Sequence, residues 1–299
     1  MFKKALLVYK GNVSEKEIGN ELNEAISTFM LHIKELVIVK TEEEGEGEEI
    51  CKAHGNEVDL VLIYGGDGTV HECLNGLKEI NPSPVIGVLP GGTANDFSRS
   101  LNVPQNIKKA AEALMNDSKP INIDVGQADD RIFTNFLGVG LVSDTSESVN
   151  ENIKNMFGKA GYYLSAFQHL TEGNTFSFVL KHGEKVVEDE AVMILMANGK
   201  YLGGQEIPGG SISPADGLLD VFIVYEAGLP LLKDFLVAKR TFEWNQDKSQ
   251  VVHFQASSLH LDTSVPQKID MDGEIYAETP VEIKVISKQF SFLVGNSRR

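Results

Sequence analysis

The stretch Asp59–Leu77, DLVLIYGGDGTVHECLNGL, decides how the rest of the chain is read. It opens on Leu60-Val61-Leu62-Ile63-Tyr64, a continuous apolar run of the kind that forms a strand buried on both faces. Gly65, Gly66, Asp67 and Gly68 follow. Three glycines in four residues allow positive φ and leave no Cβ in the way of a ligand. From Thr69 the pattern turns helical, with Val70, Cys73, Leu74 and Leu77 on one face. Strand, glycine turn and helix together present amides and a helix N-terminus, an arrangement that favours phosphate. The bland reading is a tight turn with no ligand, in which Asp67 only caps the helix. In the other reading Asp67 holds a magnesium that bridges to phosphate.

Working outward, 299 residues suit one large domain or two ordinary ones, and a hydrophobic content of 42% is ample for a core. The net charge of −16 argues against nucleic acid as a partner, because phosphate backbones need clustered Lys and Arg. It also argues against general attraction to an anionic membrane. Two cysteines, Cys51 and Cys73, both in expected helices, fit a reduced cytoplasmic protein. No run approaches the roughly 18 apolar residues of a membrane span, so any membrane contact is expected to be peripheral.

Ahead of the central stretch, Ala5–Tyr9 reads as a strand. Ser14–Leu31 reads as a helix with Ser14 and Glu17 as a capping box, Glu35–Val39 as a strand and Glu42–His54 as an acidic helix. Behind it come the strand Pro84–Leu89, the turn Pro90-Gly91-Gly92-Thr93-Ala94-Asn95-Asp96-Phe97 and a helix over Ile107–Met115. Alternation of this kind predicts an α/β N-terminal domain with a doubly wound, mostly parallel sheet. Two glycine turns after two successive strands would share the carboxyl edge of that sheet, where ligands bind in such folds. Taken alone, the second turn also reads as a Pro-Gly turn capped by Asn95 or Asp96.

After about Asp124 the texture changes to short strands, at INIDVGQ, RIFTNFLGVGLVSD, TFSFVLKHG, EDEAVMILMAN, DGLLDVFIVY, SLHLDTS, IDMDGEIYA and PVEIKVI. Such spacing predicts a C-terminal, mostly antiparallel β-sandwich domain. The expected domains are 1–124 and 125–299, with the last segment able to pack back on the first. If Ile269–Ile275 is extended, Asp270, Asp272 and Glu274 fall on one face. The alternative is a hairpin turn at Asp272-Gly273 with an exposed acidic tip. Asp216-Gly217 and Asn198-Gly199 likewise read as solvated turns. Residues 153–170 carry Met156, Phe157, Ala160, Tyr163, Leu164, Phe167 and Leu170 at helical spacing. That stripe is either core or an apolar flap, with Lys154 and Lys159 near phosphate head groups.

Gly65-Gly66-Asp67-Gly68-Thr69 with Glu72 and Asn75-Gly76 resembles the GGDGT…E…NG signature of the diacylglycerol kinase catalytic-domain family. Leu89–Phe97 resembles its PxGTxNDF signature. Asn198-Gly199, Gly203-Gly204 and Ser213–Asp220 resemble its third block, and Asp272-Gly273-Glu274 its closing DGE. The likeness is greatest to the soluble bacterial lipid kinases, a group that includes relatives of sphingosine kinases. The resemblance implies a nucleotide domain and a β-sandwich, and transfer of phosphate from ATP with Mg²⁺ to a lipid hydroxyl at the membrane surface. It implies nucleotide contacts at Gly65, Gly66, Asp67, Gly68, Thr69, Val70, His71, Glu72, Gly92, Thr93, Asn95, Asp96 and Thr41. His71 by itself reads as an ordinary helix residue. It implies Glu274 as proton acceptor with Asp272 as its neighbour, and a magnesium at Asp216, the carbonyl of Leu218 and Ser213. A homodimer is compatible with it. The first loop, Lys10-Gly11-Asn12-Val13-Ser14, stands where the family carries NPxSG. Two rival readings are an NAD kinase, which shares a GGDG turn, and a nucleotide-binding regulator without turnover.

Overall fold

The computed structural model describes residues 1–11, 15–140, 175–207, 212–225 and 251–295. The expected Ser14 cap, most of the first loop and the 153–170 helix lie outside them. Packing divides the chain into two units, Met1–Ile123 with Lys288–Arg299, and Asp124–Ser287.

In the first unit strands and helices alternate as the apolar periodicity requires: β1 (Phe2–Lys10), α1 (Glu15–Phe29), β2 (Ile33–Thr41), α2 (Glu46–His54), β3 (Leu60–Gly65), α3 (Asp67–Leu77), β4 (Val85–Pro90), α4 (Asp96–Ser100) and α5 (Ile107–Glu112). The sheet order is β2-β1-β3-β4, all parallel, with Tyr9 beside Tyr64 and Gly65 beside Pro90. β3 is buried along its whole length, which is why its sequence is an unbroken apolar run. The chain goes from β1 to one side and then crosses to β3 on the other. Order therefore reverses between β1 and β3, and a crevice opens beyond the carboxyl ends of such strands.

The second unit holds β5 (Pro120–Ala128, begun in the first unit), β6 (Arg131–Phe133), β7 (Phe136–Val139), β8 (Phe176–His182), β9 (Lys185–Ala191), β10 (Met193–Ala197), β11 (Tyr201–Leu202), β12 (Gln205–Glu206), β13 (Leu219–Val224), β14 (Val251–Ala256), β15 (Ser258–Thr263), β16 (Lys268–Met271), β17 (Glu274–Glu278) and β18 (Val281–Leu293). One antiparallel sheet runs β14-β13-β10-β7-β16-β17. Facing it are β9, β8, β15 and residues 281–284 of β18. Phe178, Leu180, Leu261 and Ile283 from one layer meet Leu137, Met196, Val221 and Met271 from the other in a single apolar core. β8 and β9 join through Gly183-Glu184, with Gly183 at φ 58°.

Three expectations change. EDEAVMILMAN is not one strand: it breaks at Val192, leaving β9 in one layer and β10 in the other. RIFTNFLGV breaks at Thr134-Asn135 into β6 and β7. IDMDGEIYA is not extended either. β16 and β17 form a hairpin closed by Asp272-Gly273, at φ 53° and 99°, the double positive φ of a type I′ turn.

Candidate functional site

β3 ends at Gly65, and Gly66 is the N-cap of α3 with φ −87° and ψ −174°. Among the described glycines at these turns none has positive φ, so the expected left-handed freedom is not what the sequence supplies. Close approach is. A Cβ on Gly92 would lie 2.5 Å from the Gly66 Cα, and one on Gly91 3.0 Å from the Gly65 backbone. The Gly91 amide donates to the Gly65 carbonyl at 3.0 Å. The two glycine turns therefore touch, backbone to backbone, at the carboxyl edge of β3 and β4.

Asp67 ties them together. Its two carboxylate oxygens accept from the amides of Asp96 (3.1 Å) and Phe97 (2.9 Å), so from the start of α3 it caps α4. Asn95, in the left-handed region at φ 54°, holds the Gly92 amide with its side-chain oxygen at 2.8 Å. Its side-chain nitrogen returns to the Gly92 carbonyl at 2.9 Å. Gly91, Gly92 and Thr93 remain exposed, and Gly66 and Gly68 half-exposed, with the amides of the first turn of α3 behind them.

The side chains of Thr69, Val70 and His71 are buried in α3, and Glu72 accepts from the Gly47 amide of α2 at 3.1 Å. The Thr69 side chain packs against Gly65, where a Cβ would lie 2.6 Å from it, so these residues reach the turn surface through their backbone rather than through exposed side chains. Thr41 is buried too, its hydroxyl donating to the Tyr9 carbonyl at 3.5 Å. Its own carbonyl accepts from the Gly11 amide at 2.9 Å. Asp96 is buried at the start of α4.

The DGE residues part company. Asp272 is 4% exposed. One oxygen accepts from the Thr134 amide (2.7 Å) and hydroxyl (3.1 Å), the other from the amides of Asn135 (2.7 Å) and Phe136 (3.1 Å). A carboxylate offers about four acceptor sites, and these bonds fill them. The Asp272 carboxylate is therefore taken up by the Thr134–Phe136 segment, and Glu274, its neighbour in the turn, lies less buried. Asp270, also buried, accepts from the Gly273 amide at 2.8 Å and closes the turn. Glu274, half-buried, starts β17 just past it. The tip is not the exposed acidic turn of the bland reading, because two of its carboxylates are buried against backbone donors.

Asp216, on the surface before β13, accepts from the Leu218 amide at 3.0 Å. Asp124, buried, accepts from the Gly217 amide at 2.7 Å. Partial burial, and after it the nearby charges of Asp220 and Asp124, push the Asp216 carboxyl above its ordinary range against the lowering pull of the Leu218 amide. Asp220 is bonded to His253 Nε2 at 2.7 Å. Ser213 is half-buried beside these groups in sequence. Among the described residues no three His, Cys, Asp or Glu side chains form a metal cage. Asp216 is the one surface carboxylate here, near the buried Asp124 and Asp220. Asn198, read as a solvated turn, is fully buried. Sequence reasoning missed it along with Asp124 and Thr134. An acidic residue alternating with Ile123 and Val125 was the available signal for Asp124.

A parallel α/β unit with two interlocked glycine turns at its carboxyl edge, joined in one chain to an antiparallel sandwich, defines a two-unit class of protein. Comparison narrows the class. Residues 4–128 match the Diacylglycerol kinase catalytic domain, and residues 136–294 the YegS C-terminal NAD kinase beta sandwich-like domain. A Staphylococcus aureus (strain Newman) protein, provisionally named a lipid kinase, is 34% identical over 296 residues, 97% of each chain. A crystal structure titled as a diacylglycerol kinase from Bacillus anthracis str. Sterne matches with TM-score 0.87 and 34% identity, over 99% of this chain and 98% of that one. A second from that organism, provisionally titled likewise, gives TM-score 0.89 and 35% identity with the same coverage. The chain belongs to the diacylglycerol kinase catalytic-domain family. Among the described residues no helix is long and apolar enough to cross a membrane.

Proposed function

We propose that the chain is a lipid kinase that moves the γ-phosphate of ATP, with Mg²⁺, to the hydroxyl of a diacylglycerol-like lipid at a membrane surface. The observation that carries this is the contact of the Gly66 and Gly92 turns, which brings Cβ-free backbone together beside the N-terminus of α3, where phosphate oxygens would lie. Phosphoryl transfer asks for positioned phosphates, neutralised charge and an oriented alcohol. Gly66, Gly68, Gly92 and Thr93 serve the first need, while Asp67 and Asn95 hold the two turns in register. Glu274 serves the third: it accepts the hydroxyl proton, and Asp272 fixes the turn from which it extends. Asp216, the Leu218 carbonyl and Ser213 would hold a magnesium. That ion supplies positive charge to a loop where three carboxylates gather.

A transfer assay with γ-labelled ATP against diacylglycerol, ceramide, sphingosine and NAD tests the reading. Label is expected on a lipid. NAD is included because the sandwich matches a model named for NAD kinases. Labelled NAD with no labelled lipid would replace the lipid reading, and no transfer at all would favour a nucleotide-binding regulator. Mg²⁺ binding to the native state should raise Tm by mass action, and Asp216→Ala should abolish that rise. An undiminished rise in the variant places the ion elsewhere.

A further inference from the structure

Asn198 ends β10 with its side chain fully buried. Its amide nitrogen donates to two main-chain carbonyls, Asp124 at 3.1 Å and Thr134 at 2.7 Å. Its oxygen meets no donor among the described residues, so the whole work of this side chain lies in its NH₂ group. Two carbonyl acceptors also fix which end of the amide points at them, since a carboxamide oxygen there would be repelled. The backbone adds to the grip: the amides of Asn198 and Gly199 both donate to the Asn135 carbonyl, at 2.8 and 2.9 Å.

Both carbonyls belong to residues with a second attachment. The Asp124 amide donates to the Pro214 carbonyl at 2.8 Å, and its carboxylate accepts from the Gly217 amide at 2.7 Å. On the other side, the amides of Thr134 and Asn135 enter the Asp272 carboxylate, each at 2.7 Å. A continuous run of short hydrogen bonds, all within the second unit, thus leads from loop 213–218 through Asp124, Asn198 and Thr134 to the turn that presents Glu274.

We propose that Asn198 is a positioning residue that couples loop 213–218 to the Asp272–Glu274 turn, so that the place of the carboxylate at 274 depends on the state of that loop. The inference rests on the reading of Glu274 as proton acceptor. No other uncharged side chain of this size places two donors on one nitrogen at this reach. An isosteric carboxylate would set negative charge against two carbonyl oxygens, and that charged form is disfavoured in a buried place.

The test uses the full chain with Asn198→Ala and Asn198→Asp, both checked for folding by circular dichroism. Backbone amide exchange is expected to quicken in Asn198→Ala at Gly217 and at Thr134–Phe136 together. Steady-state transfer from ATP to lipid should show kcat lowered about tenfold or more with KM for ATP within about twofold, because a shift of about 1 Å at a reacting group is that costly. At alkaline pH, where its carboxylate is ionised, the Asn198→Asp variant should be at least as impaired as Asn198→Ala. Its rate relative to wild type should climb as pH falls, since only its protonated carboxyl can donate. A purely structural role would lower Tm and leave the kcat of the folded variants, and its pH profile, as in wild type; that result overturns the proposal. So does faster exchange at Thr134–Phe136 with Gly217 unchanged. If wild type phosphorylates no lipid, the kinase reading fails, and exchange at Gly217 and Asn135 still decides the coupling.

Discussion

At Gly66 and Gly92 the absent side chain is a packing requirement between two turns before it is anything else. A Cβ on Gly92 would lie 2.5 Å from the Gly66 Cα, whereas one on Gly66 would lie 3.2 Å from the Gly92 Cα. Gly92→Ala should therefore destabilise by about 1–3 kcal/mol, in the range of overpacked sites, and Gly66→Ala by less. The order of the two Tm values checks this, and ATP affinity should fall in the same order. The acidic residues of the DGE turn separate by the same kind of reasoning. Glu274→Gln keeps the size and loses the basicity, so kcat should drop by about 10²–10⁴-fold with Tm nearly unchanged. Asp272→Asn should lower Tm, and with it kcat, because the turn that presents Glu274 loses its anchor. It turns an NH₂ group toward buried N–H donors, and each donor left unsatisfied costs about 1–3 kcal/mol. Equal Tm for the two variants would undo the distinction. The glycines and the DGE run were legible in the sequence. What was not legible is what approaches each glycine, because a sequence records a missing Cβ without recording the neighbour that excludes it.

Elements explain why α3 sits where it does. α2 and α3 cross closely: a Cβ on Gly76 would run into the Glu48 carbonyl and lie 2.9 Å from the Cys51 Cβ, and Gly47 donates its amide to Glu72 of α3. Cys51 and Cys73 are both buried at this crossing, and the Cys51 thiol beside it, then burial, pushes the Cys73 thiol well up. In an ordinary helix Gly→Ala gains about 1 kcal/mol. At Gly76 the sign should invert, and thermal melting of Gly76→Ala will show a lower Tm if the crossing is as close as described. Element types were readable where one periodicity held, as along β3. They were misread where a strand changed layer: the apolar run through Val192 gives no local sign of the break, since both β10 faces are buried, one on each of two apolar clusters. The DG turn had a clear hairpin signature, and the reading of it as one extended strand lost to the intrinsic preference of Asp-Gly for positive φ.

For the whole chain, β18 is the element that distinguishes the division into units from a simple cut. Its first residues pair with β15 in the second unit, and Ser291 and Phe292 pair in parallel with Val85 and Ile86 of β4 in the first. Phe292 is fully buried with its ring edge-on to Phe97 at 5.1 Å, next to the Asp67-capped helix. Phe292→Ala should cost about 3–5 kcal/mol, as large aromatic deletions do. Because Phe97 follows the amide that Asp67 holds, the loss should weaken ATP binding as well. Unchanged ATP affinity in the folded variant would show the glycine turns to be independent of the tail.

That strand also bears on how the protein is made. A ribosome delivers residues 1–123 long before it delivers 288–295. The parallel sheet consequently waits, with one side of β4 open, through the synthesis of the entire sandwich. An open strand side is a template for wrong partners. The α/β unit is therefore the first to appear and the last to be complete, and its glycine turns reach their final support only after the residues of the other unit have been made.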